Sequence, residues 1–369
     1  MELLGFTDLR RRELEQPLAA TDSSETIVAI DPEQSLVARA VIQIREGVEA
    51  MKTDPDLILL YNGSGILGPI AVLFGWYYSL PVVIRVNGDI LRQHREKIIE
   101  YWNRSEYQHA VLYTLQLLLT RTTFLLASGF LVVSEELREV VLKKARCPES
   151  RIEVVHNPVP DVDPESEEAL PVAVDPDLNS LILTVTNLNF RGKLEGAKEM
   201  VDAIAPILPA NAGYVIAGDG IYHQQLEAYI DATVDEAATR DRIYTPGYID
   251  DVEQLYEAAD VFLYISYIDG YPNVVLEAQA AGLPVVANAA HGMVEQIDDG
   301  KTGVLIDPVS ESAVRTAVLS LLGDQSRRRQ MGTAARRQTH RHNAPERIGR
   351  EMMVALADIV DEPALFSSR

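Results

Sequence analysis

Ser266-Tyr-Ile-Asp-Gly-Tyr-Pro-Asn-Val-Val-Leu-Glu-Ala-Gln-Ala-Ala-Gly-Leu-Pro-Val-Val-Ala287 links two apolar strands through a turn and a helix. The strand before the turn is Asp260-Val-Phe-Leu-Tyr-Ile265, and Leu283-Pro-Val-Val-Ala287 follows the helix. The turn, Gly270-Tyr271-Pro272, therefore falls at the carboxyl edge of a parallel sheet, where α/β folds bind their ligands. The first N–H groups of a helix have no partner within it and can receive an anion. Asp269 precedes the helix start and Glu277 comes eight positions later, so both carboxylates line one crevice. A diphosphate on the N–H groups, with a carboxylate on each side for sugar hydroxyls, suits this layout. The expectation is a nucleotide-sugar site.

The same alternation extends in both directions. Upstream it reads Thr26–Ile30, a helix from Gln34 to Met51, Asp56–Tyr61, a helix from Gly65 to Tyr78, and then strands at 81–86, 129–133 and 151–155. From Leu181 it resumes through Leu181–Val185, Tyr214–Ala217, Arg242–Tyr244, 260–265, 283–287 and Gly303–Ile306. This is an α/β pattern of parallel sheets with crossover helices. The Pro- and acid-rich stretch Asn157-Pro-Val-Pro-Asp-Val-Asp-Pro-Glu-Ser-Glu-Glu168 interrupts it and reads as a linker. Two domains suit a chain of 369 residues.

The formal net charge is −22, and lysine occurs at only seven positions. Such an acidic, lysine-poor composition resembles that of proteins from salt-loving organisms. It disfavours nucleic acid as a partner over most of the surface. The lone cysteine, Cys147, excludes an internal disulfide and suits a reducing compartment, so a cytoplasmic address is expected. The seven histidines show no zinc-ligand spacing, and no metal or other cofactor is expected.

With the flanking segments Tyr248-Ile-Asp-Asp-Val-Glu-Gln-Leu-Tyr-Glu-Ala-Ala-Asp260 and Gly292-Met-Val-Glu-Gln-Ile-Asp-Asp-Gly-Lys-Thr-Gly-Val-Leu-Ile-Asp-Pro308, the chain resembles the family 4 glycosyltransferases. These are retaining enzymes of the GT-B fold, also grouped as prokaryotic glycosyl transferases group 1. The resemblance is specific from Ile182 to Pro308. It implies two Rossmann-like parallel-sheet domains facing across a cleft: an acceptor-binding domain at 1–165, a donor-binding domain at 166–344, and a C-terminal helix at 345–369 that packs back on the first. It implies transfer of a sugar from a UDP- or GDP-sugar to a glycan or lipid-linked acceptor. In that mechanism the leaving phosphate itself takes the acceptor's proton.

Carried over residue by residue, the resemblance gives Glu277 the donor ribose, and Asp269 the hydroxyls of the transferred sugar. Asp269 stands where Glu is more common, which shortens the side chain by about 1.5 Å. The amides of Tyr271, Asn273 and Val274, beside Pro272, would complete the pocket. In the loop Thr186–Gly196, Asn187 stands where an arginine is usual, so the diphosphate-neutralising role passes to Arg191 and Lys193. Gly218 and Gly220 match a glycine pair near the nucleotide. Asn87 occupies a position where the family often has histidine, and could hydrogen-bond a sugar hydroxyl. The glycine-rich loop after the family's first strand has no counterpart. Residues 1–25 read as no such strand and loop, so a shortened acceptor domain is expected.

Gly63-Ser-Gly-Ile-Leu-Gly68 follows a strand, opens a helix and precedes Asp89 by about 20 residues, as a dinucleotide-binding fingerprint does. In the GT-B reading Gly63, Gly65 and Asp89 belong to the acceptor side. The alternatives are therefore an NAD-dependent oxidoreductase and a non-catalytic nucleotide-sugar-binding relative. Two apolar runs, Ile66–Ile84 and Val111–Val133, contain Pro69, Gly75, Pro81, Arg121 and Ser128, and read as helix-then-strand rather than as membrane spans. The Leu112–Leu126 helix is the expected place for any peripheral contact at the inner face of a membrane.

Overall fold

The computed structural model describes residues 1–8, 16–19, 21, 24–31, 35–63, 65–159, 172, 174–175 and 177–361. Two compact units divide the chain: residues 1–158 with 343–369, and residues 159–342. Most of the expected linker, from 160 onward, lies outside the described residues.

The first unit is built on six parallel strands. They are β1 (Glu2–Asp8), β2 (Ser24–Ile30), β3 (Leu57–Tyr61), β4 (Val82–Val86), β5 (Gly129–Val132) and β6 (Ile152–Val154), in the order β2-β1-β3-β4-β5-β6. Strand β1 corrects the sequence reading, which expected no strand in residues 1–25. Leu4 pairs with Thr26 of β2 and with Ile58 of β3, which makes β1 an interior strand. Leu3, Leu4 and Phe6 are buried there, while Gly5 and Thr7 between them break the apolar run that marks the other strands. The segment that follows, residues 9–15, lies outside the described residues.

Polar side chains cap three helices of this unit. Ser35, Asp89 and Ser134 accept the N–H groups of Ala38, Arg92 and Leu137 at helices Leu36–Ala50, Ile90–Asn103 and Glu135–Lys144. The two apolar runs divide into helix and strand. Ile66–Ile84 becomes helix Leu67–Tyr78 and β4, and Val111–Val133 becomes helix Tyr107–Leu126 and β5. Among the described residues no helix is long and apolar enough to cross a membrane. Helix Pro345–Asp361 belongs to this unit. Its Ile348, Met352, Leu356 and Ile359 are buried with Leu3, Leu59, Tyr61 and Leu131 of the sheet. Gly349 permits that packing, since a Cβ there would stand 2.0 Å from the carbonyl oxygen of Pro17.

The second unit also carries six parallel strands. They are β7 (Ser180–Val185), β8 (Ala212–Ala217), β9 (Ile243–Gly247), β10 (Val261–Tyr264), β11 (Val285–Asn288) and β12 (Gly303–Ile306), in the order β12-β11-β10-β7-β8-β9. Consecutive residues alternate between two apolar layers. Ile182, Tyr214, Leu263 and Val286 join one, and Leu183, Val215, Phe262, Tyr264 and Val285 the other. Helices cover both faces, which is why these strands read as unbroken apolar runs. The chain winds outward in opposite directions from β7 and β10, so the edge beyond those two strands is the topological switch point.

Candidate functional site

Beyond β7 the chain passes through Thr186–Phe190 into helix Arg191–Ile204, and beyond β10 it passes through Ile265–Pro272 into helix Asn273–Ala280. Gly196 lets these two connections meet. A Cβ at that position would lie 2.0 Å from the carbonyl oxygen of Ile265, so the first helix can ride directly on the end of β10. Lys193, one turn earlier, is thereby brought to Asp269.

Lys193 Nζ lies 2.5 Å from Asp269 Oδ2, donates to the Tyr264 hydroxyl, and sits 4.9 Å from the centre of the Tyr264 ring. The Tyr264 hydroxyl in turn donates to Asp269 Oδ2 at 2.7 Å, which closes a three-membered network. The side chains of Lys193 and Asp269 are 6% and 19% exposed. Burial pushes the Asp269 carboxyl upward. The Lys193 charge, with hydrogen bonds from Lys193 and Tyr264, outweighs it and holds the group below its ordinary range. Burial first, and then the Asp269 charge, raise Tyr264 well above the usual phenol value, so it remains a donor.

Glu277 has a tyrosine of its own. The buried Tyr256 hydroxyl donates to Glu277 Oε2 at 2.7 Å, and burial followed by the Glu277 charge raises that phenol as well. Phe262 stands between the two tyrosines, with ring centres 5.7 Å from Tyr256 and 5.9 Å from Tyr264. Each of the two carboxylates therefore rests on a tyrosine hydroxyl, and one aromatic row supports both.

The start of helix Asn273–Ala280 is held from beneath. Its N-cap is Pro272, which brings no side-chain acceptor to the first turn. The Pro272 carbonyl accepts Gln296 Nε2 at 2.9 Å, the Gln296 carbonyl accepts Gln279 Nε2 at 3.0 Å, and Thr339 donates to Gln279 Oε1 at 3.0 Å. Gly292 donates its N–H to the Gly270 carbonyl at 2.8 Å, and a Cβ on Gly292 would come within 2.3 Å of that oxygen. Ser266 and Asn288 exchange two hydrogen bonds, of 3.0 and 2.9 Å, between the ends of β10 and β11. Tyr271 and Pro272 are buried, and Asn273 and Val274 are half-buried.

The expected cations separate. Arg191 is the first residue of its helix, its side chain is 77% exposed, and it lies 3.5 Å from Glu195; Lys193 alone of the two meets Asp269. Asn187 is exposed on the connection after β7. Gly218 and Gly220 adopt φ of +134° and +151°, and their packing has a nearer cause than a ligand. A Cβ would stand 1.7 Å from the Thr186 oxygen at Gly218 and 2.4 Å from the Leu188 backbone at Gly220. The Thr186–Leu188 backbone thus presses against both glycines.

In the first unit Asn87 follows β4. Its N–H donates to Asn62 Oδ1 at 3.1 Å and its amide nitrogen to the Tyr61 hydroxyl. Gly63 and Gly65 take φ of +61° and +62°, and a Cβ on Gly68 would lie 2.3 Å from Thr123 Oγ1. That third glycine packs helix Leu67–Tyr78 against helix Tyr107–Leu126. Asp89 accepts the Arg92 N–H at 3.0 Å and holds Lys144 Nζ 2.6 Å from each of its oxygens. Its carboxylate is a helix cap and an ion-pair partner, which takes from the dinucleotide reading the acid it needs for a ribose.

Sequence reasoning missed Tyr256, Tyr264, Gln296, Asn288, Gly196 and Gly292. Tyr256 lies within the quoted segment 248–260 and Tyr264 within the strand before the turn. Nothing in either stretch shows which carboxylate its hydroxyl meets.

Residues 172–338 match the family Glycosyl transferases group 1. The group 1 region thus contains both helix starts, Lys193, Asp269, Glu277 and their tyrosines. An uncharacterized glycosyltransferase of Methanocaldococcus jannaschii is 26% identical over 60% of this chain and 57% of its own length, so the chain spans little more than half of that relative. A glycosyltransferase-like open reading frame of a virus, isolate Australia/Victoria, is 26% identical over 84% of this chain and 87% of its own. Among solved structures, Anabaena HepE in complex with UDP-glucose superposes with a TM-score of 0.70 at 16% identity, over 97% of this chain and 99% of that one. Together with the two six-stranded parallel sheets, this likeness shows the fold, GT-B.

Proposed function

We propose that this protein is a glycosyltransferase that moves a sugar from a nucleoside-diphosphate sugar to a hydroxyl of a glycan or lipid-linked acceptor, with retention at the anomeric carbon. The network of Lys193, Asp269 and Tyr264 beside the Pro272-capped helix start carries this reading. Two of the three Lys193 N–H donors are engaged by Tyr264 and Asp269, and an ammonium has a third to offer a phosphate oxygen. The helix N-terminus supplies further N–H groups and a partial positive charge. As the bond from the anomeric carbon to the phosphate oxygen breaks, the charge gathering on the nucleoside diphosphate meets both. The same phosphate oxygen accepts the proton of the attacking hydroxyl. Protein groups therefore act by position and by stabilising the departing charge, without a metal in this reading. Asp269 would hold sugar hydroxyls and Glu277 the ribose. Arg191, exposed at the start of the helix that carries Lys193, is the second candidate for the diphosphate, and Asn87 a candidate for the transferred sugar.

A thermal-shift panel with UDP, GDP, ADP and NAD tests the reading. A ligand at a hundred times its dissociation constant adds about 2.7 kcal/mol, or several degrees. Stabilisation by one diphosphate is expected and names the base. Stabilisation by NAD with none by the diphosphates would end the glycosyltransferase reading. With the donor known, the anomeric configuration of the product, read by NMR, tests retention.

A further inference from the structure

Two carbonyls of the turn before helix Asn273–Ala280 are held by one short stretch of chain, Gly292 to Gln296. The Gly270 carbonyl accepts the Gly292 N–H at 2.8 Å, and the Pro272 carbonyl accepts Gln296 Nε2 at 2.9 Å. The Val275 N–H also reaches the Pro272 carbonyl, at 3.2 Å, as the first bond within the helix. The peptide bonds that leave Gly270 and Pro272 are trans. In a planar trans peptide the C=O and the N–H that follows it point in opposite directions. A carbonyl drawn towards 292–296 therefore turns the next N–H away from that stretch. By this rule the N–H groups of Tyr271 and Asn273 are both aimed to the side of the turn that 292–296 does not cover.

Gln296 is itself firmly fixed. It is 3% exposed, at the end of the short helix Met293–Gln296. Its own carbonyl accepts Gln279 Nε2 at 3.0 Å and Gln338 Nε2 at 3.2 Å, and Thr339 donates to Gln279 Oε1 at 3.0 Å. Those donors come from helix Asn273–Ala280 and from helix Gln325–His342, so three elements lock one residue. A methionine would fill a similar volume with no amide to desolvate. A site that needed only filling would be as stable or more so with methionine. What methionine lacks is a donor for the Pro272 carbonyl.

We infer that Gln296 is a positioning residue for the diphosphate. It sets the peptide plane between Pro272 and Asn273, so that the Asn273 N–H, with the Tyr271 N–H set by the Gly270–Gly292 bond, faces the phosphates. Backbone N–H groups converging in this way form an anion cradle. Lys193 brings charge to this edge, and Gln296 brings direction. Donors fixed beforehand need no reorientation as charge gathers on the leaving group, which is where they stabilise it most. The inference rests on the reading of a nucleoside-diphosphate sugar as donor.

Calorimetric titration of UDP against uridine, and of GDP against guanosine, tests it on the full chain, because a nucleoside lacks the groups that the N–H pair would hold. In the wild type one diphosphate should bind more tightly than its nucleoside. Gln296→Met should lower that ratio about tenfold and leave the affinity for the nucleoside in place. Thr184→Val is the structural control, since Thr184 is buried and donates to the Leu263 carbonyl within the sheet at 2.6 Å. It should lower the melting temperature and keep the wild-type ratio. An unchanged ratio in Gln296→Met, or an equal fall in both variants, would overturn the inference. Wild-type protein that binds neither UDP nor GDP would end the donor reading itself, and the inference with it. Amide NMR of the wild type needs no variant: the Tyr271 and Asn273 amide protons should move downfield on saturation with the diphosphate that binds, and unmoved resonances would equally overturn the assignment.

Discussion

Lys193 and Asp269 stand 76 positions apart in the chain, yet the ammonium nitrogen and the carboxylate oxygen are 2.5 Å apart, and the hydroxyl of Tyr264 touches both. A pair so far from water is maintained because each charge offsets the other's desolvation. It fixes a buried cation directly beside the carboxylate assigned to the donor sugar.

Lys193→Met should remove the cation and leave Asp269 charged and unpaired, at a loss of about 3–5 kcal/mol in stability. The double variant with Asp269→Asn should recover part of that loss and still show no stabilisation by nucleoside diphosphate. Urea denaturation measures both. Wild-type stability in Lys193→Met would mean that the pair is not shielded as described.

Glu277→Ala separates binding from folding. Glu277 is half-buried and accepts a hydrogen bond from the buried Tyr256 hydroxyl, so the fold should lose about 1–3 kcal/mol, the cost of leaving that hydroxyl unpaired, which urea denaturation measures apart from binding. The donor ribose should lose a charge-assisted contact of about 1.5–3 kcal/mol, roughly ten- to a hundredfold in affinity. Calorimetric titration with the diphosphate found by the thermal-shift panel decides it, and an unchanged dissociation constant would remove the ribose assignment.

Gly196→Ala should destabilise the second unit by about 1–3 kcal/mol or more, because the new methyl meets the Ile265 carbonyl at 2.0 Å. It should also weaken diphosphate binding, since the shift moves Lys193 away from Asp269. Gly192→Ala is the control: its Cβ would make ordinary contacts of 3.4 Å with Tyr267 and Ile268. Equal melting temperatures for the two variants would contradict the close approach of helix and strand.

His94 gives the first unit a pH response. It is buried in helix Ile90–Asn103, 3.4 Å from Thr120, and burial lowers its pKa from 6.5 to about 4. Between those values the unfolded chain binds a proton that the folded chain refuses, so stability falls as pH drops from 6.5 towards 4. The full effect is about 3 kcal/mol. In His94→Gln the difference from wild type should therefore change with pH across this window. A constant difference from pH 6.5 down to 5 would refute the assignment.

The amino-acid sequence by itself determined the two parallel α/β sheets and the place of their ligand edge. Strands covered on both faces must be runs of apolar residues, and the Asp269–Glu277 spacing around Gly270-Tyr271-Pro272 is a local property that needs no knowledge of the rest of the chain. Where a strand departs from that rule, as Glu2–Asp8 does with Gly5 and Thr7, its signal faded although it sits inside the sheet. The sequence offered Arg191 and Lys193 as equals, and offered Asp89 as a ribose ligand. Tertiary structure decided between them. It placed Lys193 against Asp269, left Arg191 in solvent and tied Asp89 to Lys144. It also set Tyr256 and Tyr264 under the two carboxylates. These contacts depend on which strands lie side by side and on how closely a glycine lets a helix approach a strand end. Strand order and interhelical distance are properties of the packed sheet, which no local pattern encodes.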